Sequence, residues 1–333
     1  MQKLLNDPGH YVDEALAGMI EAHPAIYRLS DQSQRSVIRR RDKPSGHVGV
    51  VSGGGFGHLP LFAGYVGEGL LDACAVGDVF AGPSYDHVMA ACREAHKGAG
   101  VVAVIGNYGG DRMVFEMVAE ALSEEGLPTE LVVVADDVAS GPPTKANERR
   151  GVAGMILLFK IAGAAAEAGK PLGDVVAVVE RARQHCRSIG VALSPCVLPH
   201  SGQPSFELNP GDIEMGMGIH GEQGTWRGAL KTADTIADEM LDRLLPELCL
   251  SEGDKVAILC NSLGATPLDE LYILYRRLAA RLDGLGVAVA ERLVGPYATS
   301  MEMAGASISI MKLDDELAGL LRAPARSAPW SMP

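Results

Sequence analysis

Val48-Gly49-Val50-Val51-Ser52-Gly53-Gly54-Gly55-Phe56-Gly57-His58 is the stretch on which the fold turns. Its first four residues read as a buried strand. The glycines after them predict a turn with little side-chain bulk, since glycine permits positive φ and lets a ligand approach the backbone closely. A titratable imidazole at the mouth of that turn suggests chemistry as well as binding. On spacing alone the stretch is equally a tight strand–helix turn whose histidine caps or fills space.

The pattern repeats on the C-terminal side of this stretch. Residues 85–95 read as a helix, Gly100–Ile105 as a strand and Arg112–Glu124 as an amphipathic helix. Thr129–Val134 is a third strand, Gly151–Gly169 a strongly apolar helix, and Leu172–Arg187 continues helical. Short apolar strands separated by helices indicate an α/β sheet with much parallel pairing, flanked by helices. Near Ser188 the character changes. Strands are expected at 190–194, 206–208, 214–220, 254–260, 287–293 and 307–311, with helices at 232–245 and 268–282, Thr266 being the expected N-cap of the latter. This gives two α/β domains: residues 1–188, with a mixed, largely parallel sheet, and residues 189–333, a smaller α/β sandwich. The tail from Pro324 is expected to be extended.

Composition narrows the function. The chain has 333 residues, 47% hydrophobic and 21% charged, with 40 glycines, well above the usual share of about 7%. A net charge of −13 argues against a nucleic-acid partner, which needs clustered Lys and Arg. The basic run Arg39-Arg40-Arg41 reads as a solvated face or partner contact. The six cysteines include no C-x-x-C pair, and no histidine cluster has zinc spacing. They read as small buried hydrophobes in a reducing compartment. No apolar run reaches the roughly 18 residues that span a membrane, and no signal-peptide core is present. A cytoplasmic protein without a membrane partner is the expectation.

Three constellations could carry chemistry. The glycine stretch fails as a nucleotide site: Gly57 is followed by His58-Leu59 rather than Lys-Ser/Thr, and a dinucleotide fingerprint would lack its third glycine. Asn107-Tyr108-Gly109-Gly110-Asp111 closes a second strand. His58 and Asp111 therefore end two strands of one parallel sheet and form a candidate general-base pair, the carboxylate orienting or sharing the imidazole proton. Asp111 also fits as a cap for a helix beginning at Arg112. The third constellation is Gly216–Glu222 around His220, which has small residues on either side. A lone histidine is commonly structural, but a neutral imidazole is also a nucleophile toward carbonyl carbon.

These residues carry a resemblance that runs almost end to end. Ser52–His58, Gly64-Tyr65-Val66-Gly67, Asn107-Tyr108 with Gly110-Asp111, Asp136-Asp137-Val138-Ala139 and Arg149-Arg150-Gly151 occur in the same order as in one family. Ser188-Ile189-Gly190, Gly218–Glu222, Asn261–Pro267 and Asp314-Asp315 complete the series. The chain resembles the substrate-binding subunit of dihydroxyacetone kinase. The resemblance implies a two-domain α/β homodimer in which a histidine, here His220, adds to the ketone C2 of a short ketose as a hemiaminal. It implies that His58 and Asp111 deprotonate the terminal hydroxyl, and that Gly55 gives backbone contacts. No cofactor is expected on this chain; Mg-ATP or Mg-ADP would sit on a separate helical kinase subunit.

The chain departs from the family at the substrate. The usual Gly-Gly-Gly-Ser-Gly-His-Glu-Pro has Phe56 for serine and Leu59 for glutamate, and Gly106 replaces a lysine. Gly55, Phe56, Gly57 and Gly106 are thus expected to line the pocket. Phe56 is expected to add apolar bulk beside His58, while Gly106 removes a charge and leaves room. Such a pocket suits dihydroxyacetone or a larger ketose such as erythrulose. The alternative is a ketose-binding co-regulator on the same fold. That role needs the capturing His220 but not His58 and Asp111.

Overall fold

The computed structural model describes residues 2–333. After helix α1 (Tyr11–Ala22) come β1 (Tyr27–Leu29), β2 (Ser36–Arg39), β3 (Gly49–Phe56), β4 (Ala73–Val79), α2 (Tyr85–Ala95), β5 (Val101–Gly106), α3 (Gly109–Glu124) and β6 (Thr129–Val134). Two helices follow, α4 (Met155–Glu167) and α5 (Leu172–Gln184). The second half contains β7 (Cys186–Ser194), β8 (Asp212–Met215), β9 (Trp226–Ala229), α6 (Ala233–Leu248), β10 (Lys255–Ser262), α7 (Leu268–Asp283), β11 (Ala288–Gly295) and β12 (Ala304–Leu313). Helix α8 (Asp315–Arg322) and the short pair β13 (Ala325–Arg326) and β14 (Ser331–Met332) close the chain.

The first sheet has the order β1-β2-β4-β3-β5-β6, parallel from β4 to β6 and antiparallel at β1 and β2. The second runs β11-β10-β12-β7-β8-β9, with β10–β11 its parallel pair. Strand alternation assigns the faces. Val51, Ala103 and Ile105 pack with Val88, Phe115 and Val118 of α2 and α3, whereas Val50, Val102 and Val104 face α4 and α5. In the second sheet Val256, Ile258 and Ile310 pack with α6 and α7, while Ala257, Leu259 and Met311 join the core of α4 and α8. Helix α4 is thus enclosed, and every residue from Met155 to Ala166 is buried. That enclosure explains why its sequence is apolar on all faces. Its one lysine, Lys160, donates to Leu320 O at 2.7 Å and so fastens α8 to the first half.

The glycine stretch is built differently from the expected strand and turn. β3 continues through Gly53, Gly54 and Gly55 to Phe56, and all eight of its residues are buried. These glycines provide close approach. A Cβ on Gly53 would lie 2.7 Å from Ala75 O of the neighbouring strand and 3.0 Å from Phe115. Positive φ is needed only at Gly57 (+104°). Because the obstacle at Gly53 is backbone, Gly53→Ala is expected to destabilise the fold by about 1–3 kcal/mol through overpacking. The midpoint of urea unfolding measures this.

Other expectations move by more than a boundary. The strand expected at 214–220 ends at Met215, because Gly216 turns the chain at φ +82°. Residues 206–208 form no strand, and β7 begins at Cys186, where helix was expected. Helix α7 is entered through Pro267; Thr266 Oγ1 instead accepts from Gly305 N at 2.7 Å. Arg39 is buried rather than solvated and pairs with Asp72 at 2.8 Å. All six cysteines are free and five are buried, Cys249 being exposed. Among the described residues no helix is long and apolar enough to cross a membrane.

Candidate functional site

β3 and β5 are adjacent parallel strands, so their carboxyl ends deliver His58 and the Tyr108–Asp111 turn to the same edge of the sheet. The second half supplies His220 from the turn after β8. The rings of His58 and His220 meet edge to face, with centroids 4.8 Å apart. Tyr108 also packs edge to face against His220 at 4.7 Å. The sequence thus brings all three candidate catalytic side chains to one place, from two sheets.

His58 is 1% exposed. Its Nδ1–H donates to Thr299 O at 2.8 Å. A carbonyl can only accept, so this bond fixes the tautomer and leaves Nε2 as a bare acceptor, which has no partner among the described residues. Burial, reinforced by the charge of His220, holds the His58 pKa down to about 3. His58 is therefore neutral at any ordinary pH.

Asp111 sits in the first turn of α3, which starts at Gly109 with Tyr108 as N-cap. It therefore does not cap the helix. It is 7% exposed, and its Oδ1, also without a partner, abuts Gly82, where a Cβ would lie 2.2 Å away. Burial raises its pKa to about 6, with the charge of His220 opposing. The direct His58–Asp111 pair expected from sequence is not formed. The Phe80–Gly82 turn touches both groups, with Phe80 stacked on His58 at 4.9 Å and 19°, and the imidazole proton goes to Thr299 instead.

His220 is held by Glu222. Its backbone N–H donates to Oε2 and its Nδ1–H to Oε1, each at 2.9 Å. In the neutral imidazole the second bond leaves Nε2 with its lone pair, on a side chain that is 22% exposed. Burial would raise the pKa of Glu222, but the hydrogen bond and charge of His220 overcome it and bring the carboxyl to about 2. A Cβ on Gly218 would lie 2.1 Å from Glu222 Oε2, so the glycine before this histidine makes room for its carboxylate. Arg150 braces the same turn, bonding Gly216 O at 3.0 Å while paired with Asp137 at 2.7 Å. That gives Asp137 and Arg150 a place at the site, while Asp136 binds Val152 N, Gly154 N and Ser188, and Arg149 pairs with Glu247.

Of the expected pocket residues, Gly55, Phe56 and Gly57 line a small cavity together with His58. Phe56 also packs edge to face on Tyr11 of α1 at 6.1 Å, and the ring stacked on His58 is Phe80. Gly106 opens no space, because a Cβ there would lie 3.1 Å from the Tyr108 ring and 3.4 Å from Met155 Sδ. Gly57 O is occupied by Met301 N at 2.7 Å, and Gly55 lies within β3 against Ala81 N. Sequence reasoning missed Phe80, Glu222 and Thr299. Only Glu222 carried a signal, as a carboxylate two residues after a candidate histidine. Among the described residues no cluster of three or more His, Cys, Asp or Glu side chains could hold a metal.

Comparison with known proteins gives the family. The Dak1 domain matches residues 17–329. The dihydroxyacetone-binding subunit DhaK of PTS-dependent dihydroxyacetone kinase 1 from Listeria innocua is 42% identical over 331 residues, 99% of this chain and 100% of that protein. L-erythrulose kinase of Pectobacterium atrosepticum is 41% identical over 98% of this chain, which spans 55% of that enzyme. The solved dihydroxyacetone kinase of C. freundii superposes with a TM-score of 0.91 at 33% identity, over 99% of this chain and 61% of that one. With a family model over residues 17–329 and a relative 42% identical along nearly the whole chain, the chain belongs to the Dak1 family, that of the substrate-binding subunits of dihydroxyacetone kinases.

Proposed function

We propose that this chain captures a short ketose covalently and presents its terminal hydroxyl to a nucleotide held by a separate kinase subunit. The observation that carries the reading is a pair of buried acceptors without partners, His58 Nε2 and Asp111 Oδ1, beside a histidine whose Nε2 lone pair is free. Buried polar atoms are ordinarily satisfied, and an orphan marks a missing partner. Two acceptors call for two hydroxyls, and a nucleophilic nitrogen calls for a carbonyl carbon. A dihydroxy ketone has all three.

In this reading His220 Nε2 adds to C2 and the carbonyl electron pair moves to oxygen, which takes up a proton. The Nδ1 proton shared with Glu222 can leave in exchange, so the adduct forms without net charge. A hydroxyl of the ketose then donates to His58 Nε2. Asp111 accepts the proton of the reacting hydroxyl as its oxygen attacks the terminal phosphorus of the nucleotide; the bond from that phosphorus to the bridging oxygen breaks, and the nucleotide leaves one phosphate shorter, carrying the electron pair on that oxygen. Of the two candidate bases Asp111 is the better matched, since a carboxylate near pH 6 accepts a proton far more readily than an imidazole held near 3. Covalent capture rejects glycerol, which lacks a carbonyl, and fixes the reacting oxygen for transfer. Three- and four-carbon ketoses are the substrate class, in keeping with the dihydroxyacetone and erythrulose enzymes it resembles.

Crystals soaked with dihydroxyacetone, and separately with erythrulose, test this. Continuous electron density from His220 Nε2 to the ketone carbon is expected, with hydroxyls on His58 and Asp111. Absence of a bond with either ketose at saturating concentration sinks the mechanism.

A further inference from the structure

The Asn261–Pro267 motif contacts neither candidate base, yet it leads to both histidines. Asn261, at the end of β10 and fully buried, accepts from the backbone N–H groups of Tyr297 and Ala298, each at 2.8 Å. Its amide donates to Ala298 O at 2.7 Å and to Ser307 Oγ at 3.0 Å. The side chain is thus fully used in clamping the start of the 296–303 connection between β11 and β12. Ser300 N adds a bond to Leu263 O at 2.7 Å within the same motif.

Two consecutive residues of that clamped connection hold the two imidazoles. Thr299 O receives the His58 Nδ1 proton, and Thr299 Oγ1 donates to Leu59 O at 2.8 Å. Ser300 Oγ donates to Ile219 O, the carbonyl immediately before His220. Ser300 is wholly buried. His58 comes from the first sheet and His220 from the turn after β8, so their 4.8 Å approach has no short covalent path to set it. The Thr299–Ser300 peptide is the common reference.

We propose that Ser300 is a positioning residue, setting the capturing imidazole of His220 against His58 through the Ile219 carbonyl. The proposal rests on the ketose-capture reading for its consequence, but not for its geometry. Misplacement of a reacting group by about 1 Å can cost on the order of a hundredfold, so the effect belongs on ketose capture.

The test uses the full chain, titrated with dihydroxyacetone by calorimetry. Ser300→Ala is expected to weaken binding about ten- to hundredfold, and Ser300→Thr, which keeps the hydroxyl, to restore it to within about threefold. Ser262→Ala is the control. Its hydroxyl lies in the same motif and donates to Thr266 O at 2.7 Å, but reaches neither histidine. It should lower the thermal midpoint and leave binding unchanged. If Ser300→Ala does not fold, Ser300→Cys takes its place, the thiol being near in size and a weak donor.

Histidine-labelled protein without ligand gives an independent reading. The imidazole nitrogen signals of His220 should shift or broaden in Ser300→Ala, while those of His58 hold. Unchanged His220 signals, or parallel losses of binding in Ser300→Ala and Ser262→Ala, would overturn the positioning role. Wild-type protein that binds no ketose would sink the functional reading alone, and the imidazole signals would still decide the role of Ser300.

Discussion

His220→Ala is expected to abolish measurable dihydroxyacetone binding, raising the dissociation constant at least a hundredfold, while the protein stays folded. The size of the effect follows from the size of the ligand. A ketose of this size has little apolar surface to bury, and the hydroxyls of a polyol exchange water for protein with little net gain. Without bond formation, the acceptors on His58 and Asp111 leave such a ligand in the millimolar range or weaker. Folding should survive, because His220 is 22% exposed and its side chain bonds only Glu222. Glu222 loses the partner that holds its pKa near 2. Its depressed folded pKa gives stability that is present above its ordinary value and lost as pH falls toward 2, so the variant should lose stability chiefly by giving up that contribution. Calorimetry and a thermal melt at pH 7 decide the matter. Wild-type affinity in His220→Ala would mean that capture runs through another group.

How far the sequence foretold this site depends on what kind of group each position uses. The strands at 101–106 and 129–134 were legible as short apolar runs set between helical segments such as 85–95. β4, with Cys74, Ala75 and Val76 at its centre, and the glycine half of β3 were not. A glycine carries no side chain to show a period, and Gly53 sits in a strand because of its neighbour Ala75 rather than by its own propensity. His58 and Asp111 could be placed together because both end adjacent parallel strands. Their separation could not, because it depends on the Phe80–Gly82 turn, where Phe80 adopts φ +56°. Phe56 and Gly106 were read as pocket residues from their difference to the family. Tertiary packing set Phe56 against Tyr11 as well as the cavity beside His58, and filled the space at Gly106 with Tyr108. Thr299 works through its backbone carbonyl, a group every residue has, so no reading of residue types could single it out. His220 stood out by resemblance, since a histidine between small residues has no specific spacing of its own.

Asp111→Asn is expected to leave ketose capture intact and to cut phosphorylation by about 10²- to 10⁴-fold, the usual worth of a general base. The amide keeps the shape and an acceptor oxygen, so the hydroxyl contact survives, but it cannot take the proton. The pH dependence identifies the group. In the wild type Asp111 protonates as pH falls through about 6, so phosphorylation should fall tenfold per pH unit below that point. His58 stays neutral down to about 3 and contributes no limb there. In Asp111→Asn the residual rate should be flat across this window. Stability should move the other way. The folded pKa of about 6 lies above the ordinary aspartate value near 3.9, so between about pH 4 and 6 the folded state binds the extra proton. Stability is therefore lost as pH rises through that range, and above pH 6 the buried carboxylate costs about 2–3 kcal/mol. Asparagine removes that cost, so at pH 8 the variant should melt at a higher temperature than the wild type, and the gap should close by pH 4. A variant that is both inactive and less stable at pH 8 would mark Asp111 as a structural residue. One that is more stable, still captures the ketose and no longer transfers phosphate would mark it as the base, held ionised in a buried place at the expense of the fold.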